Sequence, residues 1–127
     1  MKNFDSWNEV KKRISNNSPV YTKEGEVYYA ILGVNVGYEQ DGKGELYLRP
    51  IVVYKKFGRD SILAIPLTSQ KKSGRFYYSF QFKKDVVSVA LLSQIRLLDT
   101  RRVYKKVGRM KFNDFKDMKK KFQELTI

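Results

Sequence analysis

The sequence has neither cysteine nor histidine. The first absence removes disulfides, thiolate nucleophiles and Cys-ligated zinc. The second removes the usual general acid or base near neutral pH and the commonest metal ligand. Any catalysis must therefore run on carboxylates, hydroxyls, Lys, Tyr or Arg. Acidic residues are scarce as well: 13 Asp and Glu stand against 26 Lys and Arg, a net charge of +13. That balance points outward to a polyanion, whether nucleic acid, an anionic membrane surface or an acidic protein, although it also suits a merely soluble basic protein. No apolar run approaches the roughly 18 residues that a membrane-spanning helix needs. The N-terminus, Met1 to Asp5, has no signal-peptide apolar core. The expectation is a soluble, cytoplasmic chain with no membrane association. There is no Gly-x-x-x-x-Gly-Lys-Ser/Thr loop, and Gly33, Gly37, Gly42 and Gly44 do not fit the dinucleotide fingerprint. The carboxylates are too scattered for a two-metal nuclease, so no metal and no cofactor is expected. Ser-His-Asp and Cys-His arrangements are excluded, while a Ser-Lys variant stays open.

What is present suffices for one modest core. The 127 residues fit a single domain, and 14% aromatic content argues against wholesale disorder. Phe4, Trp7, Val10 and Ile14 recur at helical spacing, so residues 4–15 are expected to form a short amphipathic helix, with Ser6-Trp7-Asn8-Glu9 in the form of a capping box. From Gly25 onward the pattern changes to short β-branched and aromatic runs over 27–32, 46–54, 61–67, 76–82 and 86–98, separated by turn-rich pieces. Five or six short strands at that spacing predict a small antiparallel barrel or sandwich. Pro50 falls inside a strand pattern and is expected at an edge or a strand start. Residues 113–125 return to helical period: Phe112, Phe115, Met118, Phe122 and Leu125 form one stripe, with Asn113 or Asp114 placed to cap. Lys116, Lys119, Lys120 and Lys121 fill the rest, as a solvated face or a phosphate-tracking one.

One segment is too unusual to be generic. A glycine-punctuated stretch from Leu32 to Gly44 leads to Leu48-Arg49-Pro50-Ile51-Val52-Val53, with an Arg at the start of a strand. The next strand ends in Ile65-Pro66-Leu67-Thr68-Ser69. An Arg and two hydroxyls at neighbouring strand ends can converge on one phosphate, but a surface ion-pair partner and a turn residue fit the same letters.

Beyond these residues, the chain resembles the MazF/PemK family of toxin endoribonucleases from toxin–antitoxin systems. The landmarks are Gly25-Glu26-Val27-Tyr28, Gly37-Tyr38-Glu39-Gln40, Arg49-Pro50 ahead of an Ile-Val-Val strand, and Pro66-Leu67-Thr68-Ser69. Further on come Leu92-Ser93-Gln94-Ile95-Arg96-Leu97-Leu98-Asp99, Arg101-Arg102-Val103 and Lys106-Val107-Gly108. Together they run over about residues 24–127 in the family's order. Two features depart from it: the stretch 41–48 is longer than the family's short connection, and residues 1–23 add a helix that the core family lacks.

The resemblance implies a mainly β protein with α: an SH3-like (CcdB/PemK-like) antiparallel β-barrel over 24–110, a C-terminal helix over 111–127 and an added N-terminal helical extension over 1–23. It implies a homodimer that cleaves single-stranded RNA without a metal, to 2′,3′-cyclic phosphate and 5′-OH ends, and that is inhibited by an acidic cognate antitoxin. By the same resemblance Arg49 and Thr68 are catalytic. Tyr38, Glu39, Gln40, Ser69 and Gln94 contact RNA, with Glu39 and Gln40 in the loop that covers it. Such chemistry suits a chain without His or Cys, because the nucleophile is the substrate's own 2′-OH. Tyr38 and Phe57 are the candidate base stackers, whereas Phe76-Tyr77-Tyr78 reads as core strand. Two other classes stay in view: a CcdB-like toxin that targets gyrase, and a non-catalytic RNA- or DNA-binding module.

Overall fold

The computed structural model describes residues 20–32 and 48–126. The helix expected over residues 4–15 lies outside them. Seven antiparallel strands form the body: β1 (Glu26–Ile31), β2 (Leu48–Phe57), β3 (Ser61–Thr68), β4 (Tyr77–Lys83), β5 (Val86–Leu91), β6 (Arg96–Asp99) and β7 (Val103–Arg109). One helix, α1 (Phe112–Leu125), follows. The strand order is β4-β5-β3-β2-β1-β7, with β6 on β3 as a branch. The two ends of that order meet where the Phe82 ring of β4 packs on Gly108 of β7, so the sheet curls.

The central strands read as near-continuous apolar runs, Ile51-Val52-Val53-Tyr54 and Ile62-Leu63-Ala64-Ile65, because both of their faces are covered. On one face Val27, Val52, Tyr54, Ile65 and Leu67 pack with Phe80, Ala90, Leu92 and Met118 of α1. On the other, Tyr28, Ala30, Ile51, Val53, Ile62 and Ala64 gather with Leu98 of β6 and Val103 of β7. Gly25 turns the chain into β1 at φ +88°, a left-handed conformation that costs glycine little, and Phe115 of α1 lies directly against its missing Cβ position.

Several sequence expectations need correction. The run expected over 86–98 is two strands, because a 3₁₀ turn at Leu92–Gln94 steps the chain from one part of β3 to another. Strand β7 was not expected at all, since Val-Tyr-Lys-Lys-Val-Gly-Arg carries too much charge for the pattern of a covered strand. Neither Asn113 nor Asp114 caps α1. Lys111 holds the cap position without a side-chain hydrogen bond, and the Asp114 carboxylate instead accepts from the Tyr78 hydroxyl at 2.9 Å. Phe112 consequently falls off the buried stripe and is 79% exposed.

Candidate functional site

Strand β2 lies between β1 and β3, but not along its whole length. It pairs with β1 from Leu48 to Val52, while its first rung with β3 is Ile51 to Pro66. Among the described residues β2 and β3 form no rung beyond that one, and Leu67 and Thr68 pair on the other edge of β3 with Ala90 and Val89 of β5. The two strands therefore part, and Leu48 to Pro50 have β1 on one side only. Pro50 sits in this edge-like stretch, as a residue lacking an N–H donor should. Arg49 stands on β2 two residues before the last β2–β3 rung, and Thr68 on β3 two residues beyond it. Residues two apart on a strand share a face, which puts Arg49 on the face of Ile51 and Val53, and Thr68 on that of Ala64.

The two side chains differ in what they have left to offer. Arg49 is exposed and makes no hydrogen bond or ion pair with another described residue. Thr68 is half-buried, and its Oγ1 accepts the backbone N–H of Gln70 at 3.1 Å. That bond uses a lone pair and fixes the oxygen, leaving the hydroxyl proton free for an acceptor outside the turn. Ser69 follows, exposed. On the far edge of β3, β6 pairs with Ser61 to Ala64 and β5 with Leu67 and Thr68, and the 3₁₀ turn of Leu92–Gln94 spans the interval. The exposed Gln94 thus flanks the end of β3 on the side opposite Arg49. Thr68, Ser69 and Gln94 thus lie around the end of β3, and Arg49 lies on β2 two residues before its last rung with β3, whereas Tyr38, Glu39 and Gln40 lie outside the described residues.

Two arginines that the sequence did not single out as site residues brace this end of the sheet. Arg102 donates from Nη1 to the carbonyl of Ile31 at 3.0 Å, and Arg96 donates from Nη1 to the carbonyl of Leu32 at 3.4 Å. Ile31 is the rung opposite Leu48, and Ala30 the rung opposite Arg49. Both arginines hold backbone, so only the folded structure separates their role from a surface charge.

Other polar groups are spent on one another. Glu26, buried at the start of β1, accepts from the Tyr28 hydroxyl and from Lys106 Nζ, the latter at 2.7 Å. Burial alone disfavours the Glu26 charge, but the hydrogen bonds of Lys106 and Tyr28, with the charges of Lys106 and Lys23, outweigh it and lower the carboxyl's pKa. The Tyr28 phenol is pushed far above its ordinary range by burial and then by Glu26. An open hollow of about 530 Å³, lined by Tyr21, Glu24, Lys56, Gly58 and Arg59, lies at the opposite end of β2 from Arg49. In it the Glu24 carboxylate accepts the Lys56 N–H at 3.0 Å, and the Lys56 ammonium lies 3.7 Å from the centre of the Tyr21 ring. Among the described residues no group of three or more Asp or Glu stands close enough to hold a metal ion.

The fold is shared with solved toxins. A MazE–MazF complex from Deinococcus radiodurans superposes with a TM-score of 0.64 at 22% identity, covering 84% of this chain and 96% of that one. An endoribonuclease from a Mycobacterial species gives 0.66 at 10% identity, over 87% and 95% of the two chains. The Mycobacterium tuberculosis toxin MazF-mt6 gives 0.62 at 8% identity, over 80% and 95%. No curated protein sequence matches the chain significantly. A family model does: residues 23–126 match that of the PemK-like, MazF-like toxins, and the chain belongs to this family of toxins from type II toxin–antitoxin systems.

Proposed function

We propose that the protein is a sequence-specific endoribonuclease that cleaves single-stranded RNA at the parted end of β2 and β3, with Arg49 and Thr68 as its catalytic residues. The reading is supported by an exposed guanidinium on β2, without a side-chain partner among the described residues, and a pre-oriented Thr68 hydroxyl on β3, each two residues from the last rung that joins the strands, in a chain of the MazF-like toxin family. The substrate supplies the nucleophile: the ribose 2′-OH attacks the adjacent phosphorus in line, the bond to the 5′ oxygen breaks, and a 2′,3′-cyclic phosphate and a 5′-OH remain. The protein has to hold that geometry and stabilise the extra negative charge on the phosphorane. Arg49 does so with fixed, forked N–H donors, and the Thr68 O–H adds one more. The role assigned to Arg49 is mainly electrostatic, because a guanidinium offers a fork of N–H donors and no acceptor. Ser69, Gln94 and the segment of Tyr38, Glu39 and Gln40 are assigned to RNA contacts.

The active form is a cytoplasmic homodimer, and the cognate antitoxin is an acidic chain that competes with RNA for the basic surface. Support for the antitoxin comes from the family and from related folds solved as MazE–MazF complexes. The test is incubation of wild-type protein and an Arg49→Ala variant with a long single-stranded RNA in excess EDTA, with the fragment ends mapped. Discrete cuts with cyclic-phosphate and 5′-OH ends, absent in the variant, are expected. Intact RNA from a folded wild type would turn the reading to a toxin that acts on a protein target.

A further inference from the structure

The hollow at the end of β2 remote from Arg49 takes no part in the proposed cleavage. From Arg49 to Phe57, where β2 ends beside it, the strand advances by eight residues, roughly 25 Å at about 3.3 Å per residue. Phe57, a candidate base stacker by its place in the sequence, therefore stands too far away to stack a base next to the scissile phosphate. Around it lies a second collection of rings and cations. Lys55 Nζ is 5.9 Å from the centre of the Phe57 ring, and Tyr21, Glu24, Lys56, Gly58 and Arg59 line the hollow itself.

The walls of the hollow are held by bonds of their own. Beyond Phe57 the chain turns through Gly58, Arg59 and Asp60, and Gly58 has no side chain to fill the space beside it. Thr100 grips this turn twice: its hydroxyl donates to the carbonyl of Arg59 and its N–H to the carbonyl of Asp60, both at 2.9 Å. On the other side, the Glu24 carboxylate accepts the backbone N–H of Lys56 at 3.0 Å, and the Lys56 ammonium sits 3.7 Å from the centre of the Tyr21 ring.

The lining offers three kinds of group. Tyr21 is 68% exposed, so its ring has surface left for a flat partner. Arg59 is exposed, and its guanidinium makes no hydrogen bond or ion pair with another described residue; together with Lys56 it supplies two cations. Glu24 has one oxygen on the Lys56 N–H, and a carboxylate retains further lone pairs for a hydroxyl or amino donor. A ring, two cations and an acceptor match the base, the phosphate and the sugar or base donors of a nucleotide. The volume of about 530 Å³ lies within the range of roughly 300–1,000 Å³ that small-molecule sites occupy.

We infer that this hollow is a nucleotide site separate from the cleavage centre, in which Lys56 and Arg59 bind a phosphate, a base stacks on Tyr21 and Glu24 accepts from the sugar or the base. The occupant is one phosphorylated nucleotide, either free or as a residue of an RNA strand. The inference does not depend on Arg49 and Thr68 being catalytic.

The test is equilibrium dialysis of full-length Arg49→Ala protein against 5′-AMP, inorganic phosphate and an adenine pentaribonucleotide. The Arg49→Ala background keeps the pentanucleotide whole. One AMP is expected per chain, bound at least tenfold more tightly than inorganic phosphate. Adding Tyr21→Leu is expected to weaken AMP binding by roughly 5- to 100-fold through loss of stacking. Adding Arg59→Gln is expected to weaken it by about tenfold or more through loss of a charge-assisted contact. Both positions are exposed, so both variants should melt with the parent. AMP bound as tightly as the pentanucleotide would identify the occupant as a free nucleotide. A pentanucleotide bound far more tightly, with that margin lost in both variants, would identify it as a residue of an RNA strand. Affinities for AMP and pentanucleotide that neither variant lowers, or inorganic phosphate bound as tightly as AMP, would overturn the site. Failure of wild type to cut RNA would count against the cleavage reading and not against this one.

Discussion

Strand β1 runs between two polar constellations that have opposite characters. At its start, Glu26, Tyr28 and Lys106 are joined by hydrogen bonds, and the carboxylate is almost wholly covered. At its far end, β1 pairs with a β2 residue, Arg49, whose guanidinium makes no bond with another described residue, and the hydroxyl of Thr68, two residues beyond the last β2–β3 rung, has a proton to give. A saturated buried network holds a fold together, since removing one member strands the others. Unspent donors at a place where strands separate are available to a ligand. The nine Tyr and 26 cations of this chain are equivalent letters in the sequence, and their partners tell them apart.

That contrast can be broken at either end. The largest effect is expected from Arg49→Ala, which should slow RNA cleavage by about a hundredfold or more, near 3 kcal/mol in the barrier, with an unchanged melting temperature. Wild-type turnover in that variant would end the assignment. Glu26→Ala should behave in the opposite way, losing roughly 1–3 kcal/mol of stability by leaving Tyr28 and Lys106 without their acceptor, while the cleavage rate per folded molecule holds. Thermal melts read beside single-turnover rates separate the two cases. Thr68→Ala should cost about tenfold in rate, less than Arg49 because the Ser69 hydroxyl or water substitutes in part. A drop in melting temperature without a drop in rate would make Thr68 a turn residue only.

Two smaller effects sharpen the structural side. Gly25→Ala should destabilise by about 1 kcal/mol, because an L residue is strained at φ +88° and its Cβ would press on Phe115. The pH dependence follows from the sign at Glu26. Its carboxyl is held below the ordinary value of 4.5 in the folded state. The associated stability is therefore present above about pH 4.5 and is lost as acid takes the pH down through the lowered folded value. The stability difference between wild type and Glu26→Gln should shrink from pH 6 to pH 3, and a difference constant over that range would contradict the network.

How much of this was readable in the letters depends on which forces set each feature. The apolar runs of β1 to β5 announced themselves, since covered strands must be hydrophobic, and the stripe of Phe115, Met118 and Phe122 marked α1 for the same reason. Strand β7 escaped because it lies at the end of the strand order, where charged residues are suitable. The division of 86–98 into two strands was hidden because the 3₁₀ turn at Leu92–Gln94 is dictated by where β3 changes partner, a tertiary event. At the site, the letters alone placed Arg49 and Thr68 at neighbouring strand ends, the family resemblance gave them a catalytic role, and how the two strand ends stand to each other depends on a register written in no single strand. The bracing by Arg96 and Arg102 was illegible, because each reaches a carbonyl more than 60 residues away. Phe76 was misread, since an aromatic beside two tyrosines looks like core until its carbonyl is seen to bond Leu92 while its ring stands in solvent.

The central claim is that Arg49 and Thr68 act on one phosphate from the two sides of one gap. A double-mutant cycle tests it most directly: single-turnover cleavage of one RNA by wild type, Arg49→Ala, Thr68→Ala and the double variant, each checked by thermal melting. If the two groups work as a unit, the double variant cleaves within about threefold of Arg49→Ala alone, because the second loss finds little left to remove. Losses that multiply in full would mean that the two residues act independently and would contradict the site described for this toxin.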